Sequence, residues 1–471
     1  WRKRFRGCEA LRPWMAGSAS APGAVDGADK KSNACDVSRE KRKLDWEEIT
    51  NFQSRPSALS SEHPNNNHRG FVNCAMILLV MGNVRIAIQN VHKYGVLVDL
   101  STALTPAGWP LPFLVLLQNI NIAFAYLLER AAVGVLRGQQ SLTRWLHFVN
   151  GLAAFGVSWA GIVMLKANPG TAVIVLCFAA VAMMKILSFA HVCDLQRQLA
   201  EGKDHLPPAP TVWQLCFFIA APTLVYSPVY PRSKVRWGWL ARRVAEFVGI
   251  WLAIFVIAVQ YVAPGIKNTL DPLARGNLPL IVEGLLKIAV PNFIVWILGF
   301  YSIFHLYLNI LGEIIGYADR EFYRDWWNSS TLGYFWRSWN LPVHTWMVAH
   351  IYFPLVSRGW RKPAASLVIF IISAILHELV VSIPFGNFKL LAFGGMMMQV
   401  PLIQLTDRFK GTQTGNVIFW LTIMLGQPMI VLLYTRDYMK GLSGPWNDED
   451  TRIWGKIVSP LISPLLALVG G

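Results

Sequence analysis

Two adjacent ionisable residues, His377 and Glu378, stand near the middle of an otherwise apolar run, SLVIFIISAILHELVVSIP (Ser366–Pro384). A charge at the centre of a lipid-facing helix costs on the order of 2.5–3.5 kcal/mol on insertion scales, so the pair is expected to face protein or a water-filled interior. A histidine that stays neutral there keeps one ring nitrogen unprotonated and can serve as a general base. Ser373 lies four residues earlier on the same helix face, where it would line the same cavity. The plainer reading, a histidine that only bonds a neighbouring helix, stands beside this one. A zinc-protease HExxH is excluded, because Val381 occupies the second histidine's place.

A second cluster precedes that run. Residues 322–344 read FYRDWWNSSTLGYFWRSWNLPVH, with four Trp and four Phe or Tyr. Aromatic density of this kind marks a segment at headgroup depth. A simple aromatic belt does not need the polar residues threaded through it, Asp325, Asn328, Asn340 and His344, and buried amides demand partners. Gln399 in GGMMMQVP and Gln427 in LGQP lie in two further apolar runs, where an unsatisfied amide is costly. Each glutamine alone would serve as helix-packing glue. Polar groups from several runs at similar depth point to a shared chamber. Arg85, Lys185 and Glu313, in or beside apolar runs, read as snorkelling or structural pairing.

The elements that must carry these residues are long apolar stretches, since roughly 20 apolar residues suffice to cross a bilayer. Nine candidate spans fall at about 71–91, 109–129, 145–165, 171–190, 244–263, 279–312, 364–383, 388–406 and 415–434. The sixth is too long for one straight crossing and must tilt or project. Cytosolic connectors are richer in Lys and Arg. Those after the second, fourth, sixth and eighth spans hold clusters such as Arg232, Lys234, Arg236, Arg242 and Arg243, or Arg320, Arg324, Arg337, Arg358, Arg361 and Lys362. The opposite connectors hold only Lys93, then Lys166, then Lys267 and Arg275, then Lys389. The expectation is an all-α polytopic membrane protein, about nine helices around an intramembrane chamber, with a cytosolic N-terminus and a lumenal C-terminus. Residues 1–69 are polar and expected to be disordered, 70–440 form the membrane domain, and 441–471 form a tail whose apolar stretch Ile457–Val469 is too short and too Pro-broken to span.

Composition agrees. Of 471 residues 54% are hydrophobic and 15% charged, against about 25% charged in soluble domains. The net charge of +16 is spread over loops rather than gathered in a stripe, which argues for basic cytosolic connectors and against nucleic acid. The six cysteines form no CxxC pair and no Cys/His ligand spacing, so neither a disulfide framework nor a metal site is expected. The chain opens on Trp1, so its true start is expected to lie upstream, and no cleavable secretory signal is evident.

FYRDWWN (Phe322–Asn328) resembles the FYxDWWN signature of the sterol and diacylglycerol branch of the membrane-bound O-acyltransferases. The resemblance extends through WNLPVHTWMVAHIYFP (Trp339–Pro354), SAILHEL (Ser373–Leu379), FGGMMMQVPL (Phe393–Leu402) and GQP (Gly426–Pro428). Upstream, HRGFVN (His68–Asn73), NVHKYG (Asn90–Gly95) and YSPVYPRS (Tyr226–Ser233) are similar to the plant and algal members, and about residues 68–440 are covered. Within the branch, the type 1 diacylglycerol acyltransferases carry PVH, Gln-Val-Pro and GQP, which the sterol enzymes typically lack; all three occur here.

The resemblance implies transfer of a fatty acyl group from acyl-CoA, as a substrate and not a cofactor, to the hydroxyl of diacylglycerol. It makes His377 the base, Asn340 a donor to the reacting carbonyl, and Glu378 an orienting residue. It assigns Phe322, Tyr323, Asp325, Trp326, Trp327 and Asn328 to the acyl-CoA side, with Tyr352, Arg358, Lys362, Ser373 and Gln427. His344, Met396 and Gln399 fall to the acceptor. It also implies a homo-oligomer, dimer or tetramer, in the lipid of the endoplasmic reticulum. Two departures are Thr345 and Ala349, where many relatives carry basic residues, and the C-terminal tail after Lys440, which is unlike the short polar ends expected. Other acyltransfer and transport readings lack their marks: no His is followed by Asp five positions on, no GxSxG occurs, and no internal repeat is visible.

Overall fold

A computed structural model describes residues 69–98, 110–165, 167, 169–200 and 209–443. The polar region at 1–69 lies outside the described residues except for Arg69, as does the tail beyond Ser443 with its stretch Ile457–Val469. The chain divides into two units, Trp1–Met81 and Gly82–Gly471. Helix α1 (Arg69–Tyr94) begins in the first.

Among the described residues every named element is helical, apart from one isolated antiparallel bridge between Arg232 and Tyr317. Seven stretches are long and apolar enough to cross a bilayer: Asn73–Tyr94, Gln140–Met164, Pro169–Leu199, Trp237–Ala274, Leu278–Ile314, Lys362–Phe385 and Gln413–Arg436. The chain is an all-α polytopic membrane protein. Of the other two expected spans, one is a continuous helix and one takes a different form. The stretch at 109–129 is helix α2 (Pro110–Val133), which carries Glu129 and Arg130. The stretch at 388–406 is broken in two at Met398. Pro401 has no N–H to give Met397, so the ladder is interrupted there.

Helices α2, α3 (Gln140–Met164) and α4 (Pro169–Ala200) pack together around Leu114, Phe155, Leu176 and Ala179. Intramembrane amides join them: Gln118 Nε2 donates to Ala154 O (2.9 Å) and to Ser158 Oγ (2.6 Å), and Asn150 Nδ2 donates to Asn121 O (2.8 Å). Lys185 of α4 is buried, and its ammonium donates to Phe218 O, Ile219 O and Ala221 O at 2.7–2.8 Å. Those carbonyls end helix α5 (Val212–Ala220), where unsatisfied oxygens and the helix dipole both favour a cation. Glu313 is likewise buried, 3.0 Å from the Arg236 guanidinium. Both residues pair structurally.

The long spans contain π turns, which insert a residue into the helix. Helix α6 (Trp237–Ile257) passes through Ala258–Val262 into α7 (Ala263–Ala274), and α8 (Leu278–Phe300) through Tyr301–Tyr307 into α9 (Leu308–Ile314). After two short helices, α10 (Leu332–Ser338) and α11 (Leu341–Met347), a third π turn at Val348–Tyr352 leads into α12 (Phe353–Ser357). Then come α13 (Lys362–Phe385), α14 (Leu391–Met397), α15 (Gln399–Thr406) and α16 (Gln413–Ser443). Helix α13 starts with Pro363 in its first turn and stops at Gly386, whose φ of +63° suits a residue without Cβ.

The start of α16 is pressed against the aromatic signature. Asn416 Nδ2 donates to Trp327 O (3.0 Å) and Ser329 O (2.9 Å). A Cβ on Gly415 would fall 2.5 Å from Phe409 O and closer still to Ser330 O, both fixed backbone atoms. Gly415→Ala is therefore expected to destabilise by about 1–3 kcal/mol, as overpacking does. Thermal unfolding of the purified protein in detergent checks this; an unchanged midpoint would contradict the close approach.

Candidate active site

His377 lies on α13, the helix on which α4, the π turn Val348–Tyr352, α14 and α16 pack. The residue is exposed and retains a large accessible surface. Its Nδ1 is 2.7 Å from Ser373 O, and Ser373 Oγ is 3.4 Å away. A carbonyl oxygen only accepts, so Nδ1 carries the proton and Nε2 keeps its lone pair. The ring is therefore oriented, in the tautomer a base requires. Ser373 contributes mainly through its backbone.

Glu378, one residue on, points to another side of the helix and is buried. Its carboxylate accepts from Leu390 N (2.9 Å), Phe393 N (3.0 Å), the Tyr434 hydroxyl (2.8 and 2.9 Å) and the Ser382 hydroxyl. These bonds hold the turn before α14 and pin α16 to α13. Leu390 is the one described non-glycine with positive φ (56°), a costly conformation that the carboxylate helps to hold. With every lone pair engaged, Glu378 acts as a structural acceptor. Glu378→Ala would strand two backbone donors and a tyrosine hydroxyl, at about 1–3 kcal/mol each. Glu378→Gln, still an acceptor through one oxygen, should lose less. Yield and thermal midpoint in detergent read the difference, and equal behaviour of the two variants would contradict it.

The other candidate residues are spread over several elements. Met396 is buried on α14. Gln399 opens α15; its Nε2 reaches Gly395 O at 3.4 Å while Oε1 is buried without a protein partner. Gln427, half-buried on α16, precedes Pro428. Asn340 caps α11 by accepting from Val343 N (3.2 Å) through Oδ1, which turns its Nδ2 protons away from that helix. His344 sits one turn later, half-buried; burial, then Arg337 and Arg324, hold it below the ordinary histidine range, so it is neutral at pH 7. Tyr352 is half-buried, whereas Arg358 and Lys362 are exposed. Lys362 begins α13, so His377 lies about 22 Å further along at 1.5 Å per residue.

The aromatic signature does not form one ligand surface. Phe322 and Trp326 are only 3% and 2% exposed, which leaves them no face for acyl-CoA and corrects that expectation. Trp326 is enclosed by Trp296, Phe300, Phe335, Phe419 and Trp420. Asp325 accepts from the Tyr334 hydroxyl and from Asn328 Nδ2 (3.4 Å), bonds that hold its carboxyl below the usual range. Tyr323 Oη bonds His305 Nδ1 (2.8 Å), and only Trp327 presents an open ring. Tyr434 and Leu390 gave no signal in sequence, since both sit in apolar surroundings, whereas His305, a histidine in an apolar run, offered the same signal as His377.

An imidazole with a free nitrogen within a membrane helix can take a proton from a hydroxyl that attacks an activated carbonyl. Comparison with known proteins points the same way. Residues 139–435 match the membrane-bound O-acyltransferase family. Diacylglycerol O-acyltransferase 1 of Dictyostelium discoideum is 41% identical over 88% of this chain and 68% of its own length. Diacylglycerol O-acyltransferase 1 of Bos taurus is 37% identical over 81% of this chain and 83% of its own, and diacylglycerol O-acyltransferase 1-2 of Oryza sativa subsp. japonica 37% over 82% and 85%. The matched region contains every candidate residue above, and the chain belongs to the membrane-bound O-acyltransferase family.

Proposed function

We propose that this protein is an acyl-CoA:diacylglycerol O-acyltransferase that forms triacylglycerol and CoA. The observation that carries the reading is the run of relatives, from an amoeba, cattle and rice, that share this name at 37–41% identity over most of the chain. His377 Nε2 takes the proton of the diacylglycerol hydroxyl as its oxygen attacks the thioester carbonyl. Asn340 Nδ2 donates to the oxyanion that forms. As the C–S bond breaks, the departing CoA sulfur takes the proton back from His377. A thioester is already activated, so no covalent enzyme intermediate is needed.

Acyl-CoA reaches His377 along α13 from the exposed end, where Arg358 and Lys362 suit phosphates and Tyr352 lies at the mouth. Diacylglycerol enters from lipid past Met396 and Gln399, with neutral His344 as a partner for its glycerol oxygens, and Gln427 faces the thioester. The protein resides in the endoplasmic reticulum membrane as a homo-oligomer, its N-terminus cytosolic and its C-terminus lumenal, as the Lys and Arg bias supports. Cysteines placed at Arg358 and Lys267 should label from opposite sides of sealed vesicles; labelling from one side would overturn the orientation.

The test of the activity is the purified protein with radiolabelled oleoyl-CoA and an acceptor panel of diacylglycerol, sterol, wax alcohol and monoacylglycerol. Diacylglycerol should be the preferred acceptor. A preference for sterol would move the protein to the sterol branch of the family.

A further inference from the structure

One polar side chain inside a membrane span has no role in the chemistry above. His305 lies in the π turn Tyr301–Tyr307, within the span Leu278–Ile314. The π turn, closed by Leu308 N donating to Ile303 O, offsets the side chains that follow it, and Asn309 Nδ2 caps His305 O at 2.7 Å. The Tyr301 ring stacks on the imidazole (centroids 4.9 Å apart, planes at 19°), and its own hydroxyl donates to Glu246 (2.6 Å). The imidazole is thus held by its neighbours, and its Nδ1 shares a 2.8 Å hydrogen bond with the Tyr323 hydroxyl. One residue before it, Phe304 packs edge-on against Trp339.

Tyr323 stands between two backbone bonds. Leu341 N donates to Phe322 O (3.0 Å), and Arg324 N donates to Ser338 O (2.8 Å). Ser338 and Leu341 bracket Asn340. A continuous chain of contacts therefore runs from a membrane helix, through the tyrosine of the signature, to the turn that aims the Asn340 carboxamide.

We propose that His305 is a positioning residue: by anchoring Tyr323 it fixes the backbone clamp that sets Asn340, and the Tyr323 hydroxyl serves as that anchor rather than as an acyl-CoA contact. The proposal rests on the reading of Asn340 as the donor to the oxyanion. A donor aimed at charge that forms only in the transition state acts on kcat, and small misplacements are costly.

The test uses the full-length protein in lipid nanodiscs, with kcat and KM measured for oleoyl-CoA at saturating diacylglycerol. His305→Ala and Tyr323→Phe, alone and in an Asn340→Ala background, are compared with His305→Gln, which can still bond the hydroxyl. Each of the first two should lower kcat by roughly tenfold, with KM for oleoyl-CoA within about twofold of wild type. His305→Gln should recover most of the loss. In the Asn340→Ala background His305→Ala should lower kcat by less than about twofold further, because effects that pass through one group do not add. Tyr323→Phe removes a single oxygen and keeps the question answerable if His305→Ala misfolds. Full kcat in both single variants, a raised KM with kcat intact in Tyr323→Phe, or a full tenfold loss on top of Asn340→Ala would each overturn the clamp. Wild-type turnover in Asn340→Ala itself would remove the donor assignment and the clamp with it; an impaired Asn340→Ala beside a normal His305→Ala would remove the clamp alone.

Discussion

Replacing His377 with alanine is expected to lower kcat by about 10²–10⁴-fold, the usual contribution of a general base. The protein should remain folded, because the His377 side chain is exposed and its loss opens no gap in packed atoms. The thermal midpoint in detergent should therefore stay near that of wild type while product formation from labelled oleoyl-CoA disappears. His377→Gln, polar and of similar reach but unable to accept a proton at neutral pH, should be equally inactive. That pair of results would separate proton transfer from mere hydrogen bonding. Activity in either variant at the wild-type level would mean that the proton leaves by another route.

The second large effect belongs to Asn340, whose amide does two things at once. Its oxygen caps α11 through Val343 N, and its Nδ2 is the donor assigned to the oxyanion. Asn340→Ala removes both, so kcat should fall by about 10²-fold or more and stability by about 1 kcal/mol. Asn340→Asp keeps the cap acceptor, loses the donor and sets a negative charge where the oxyanion forms. It should be at least as inactive as the alanine variant and more stable than it. Assays of kcat beside thermal unfolding distinguish the two roles; an active Asn340→Asp would show that only the cap matters.

Some of this arrangement was legible in the residues themselves. A histidine and a glutamate in mid-helix must be explained by an interior, and the glutamate, Glu378, is buried in one. The period of the helix also says that neighbours in sequence diverge in direction, but not where each goes. The partners of Glu378 come from 12, 15 and 56 residues further along, at Leu390, Phe393 and Tyr434, distances at which local pattern is silent. Lys185 and Glu313 were readable as paired residues because an unpaired buried charge is too costly, although only the fold supplies the carbonyls of α5 and the guanidinium of Arg236.

The run at 388–406 had the length and composition of a crossing, and Pro401 alone hinted at the break that yields α14 and α15. A tight approach accompanies it: a Cβ on Gly395 would meet Ile430 Cδ1 at 2.9 Å, which ties α14 to α16. The signature 322–328 misled for a different reason. Its aromatic and polar residues suggested a ligand face, whereas most of their bonding capacity is used in holding α10, α11 and α16 together. Hydrophobic period cannot distinguish a ring that meets a ligand from one that meets another ring. π turns are equally invisible, since one inserted residue leaves the apolar run unbroken.

The central claim is that His377 Nε2 receives the acceptor's proton beside the thioester carbon. It is tested most directly by determining the structure of the protein with a non-cleavable thioether analogue of oleoyl-CoA and diacylglycerol both bound. The account predicts the acceptor hydroxyl within hydrogen-bond reach of Nε2, about 2.6–3.2 Å, and about 3–3.5 Å from the carbon that stands for the carbonyl. An acyl chain and acceptor seated together elsewhere in the protein, with His377 in contact with neither, would contradict it.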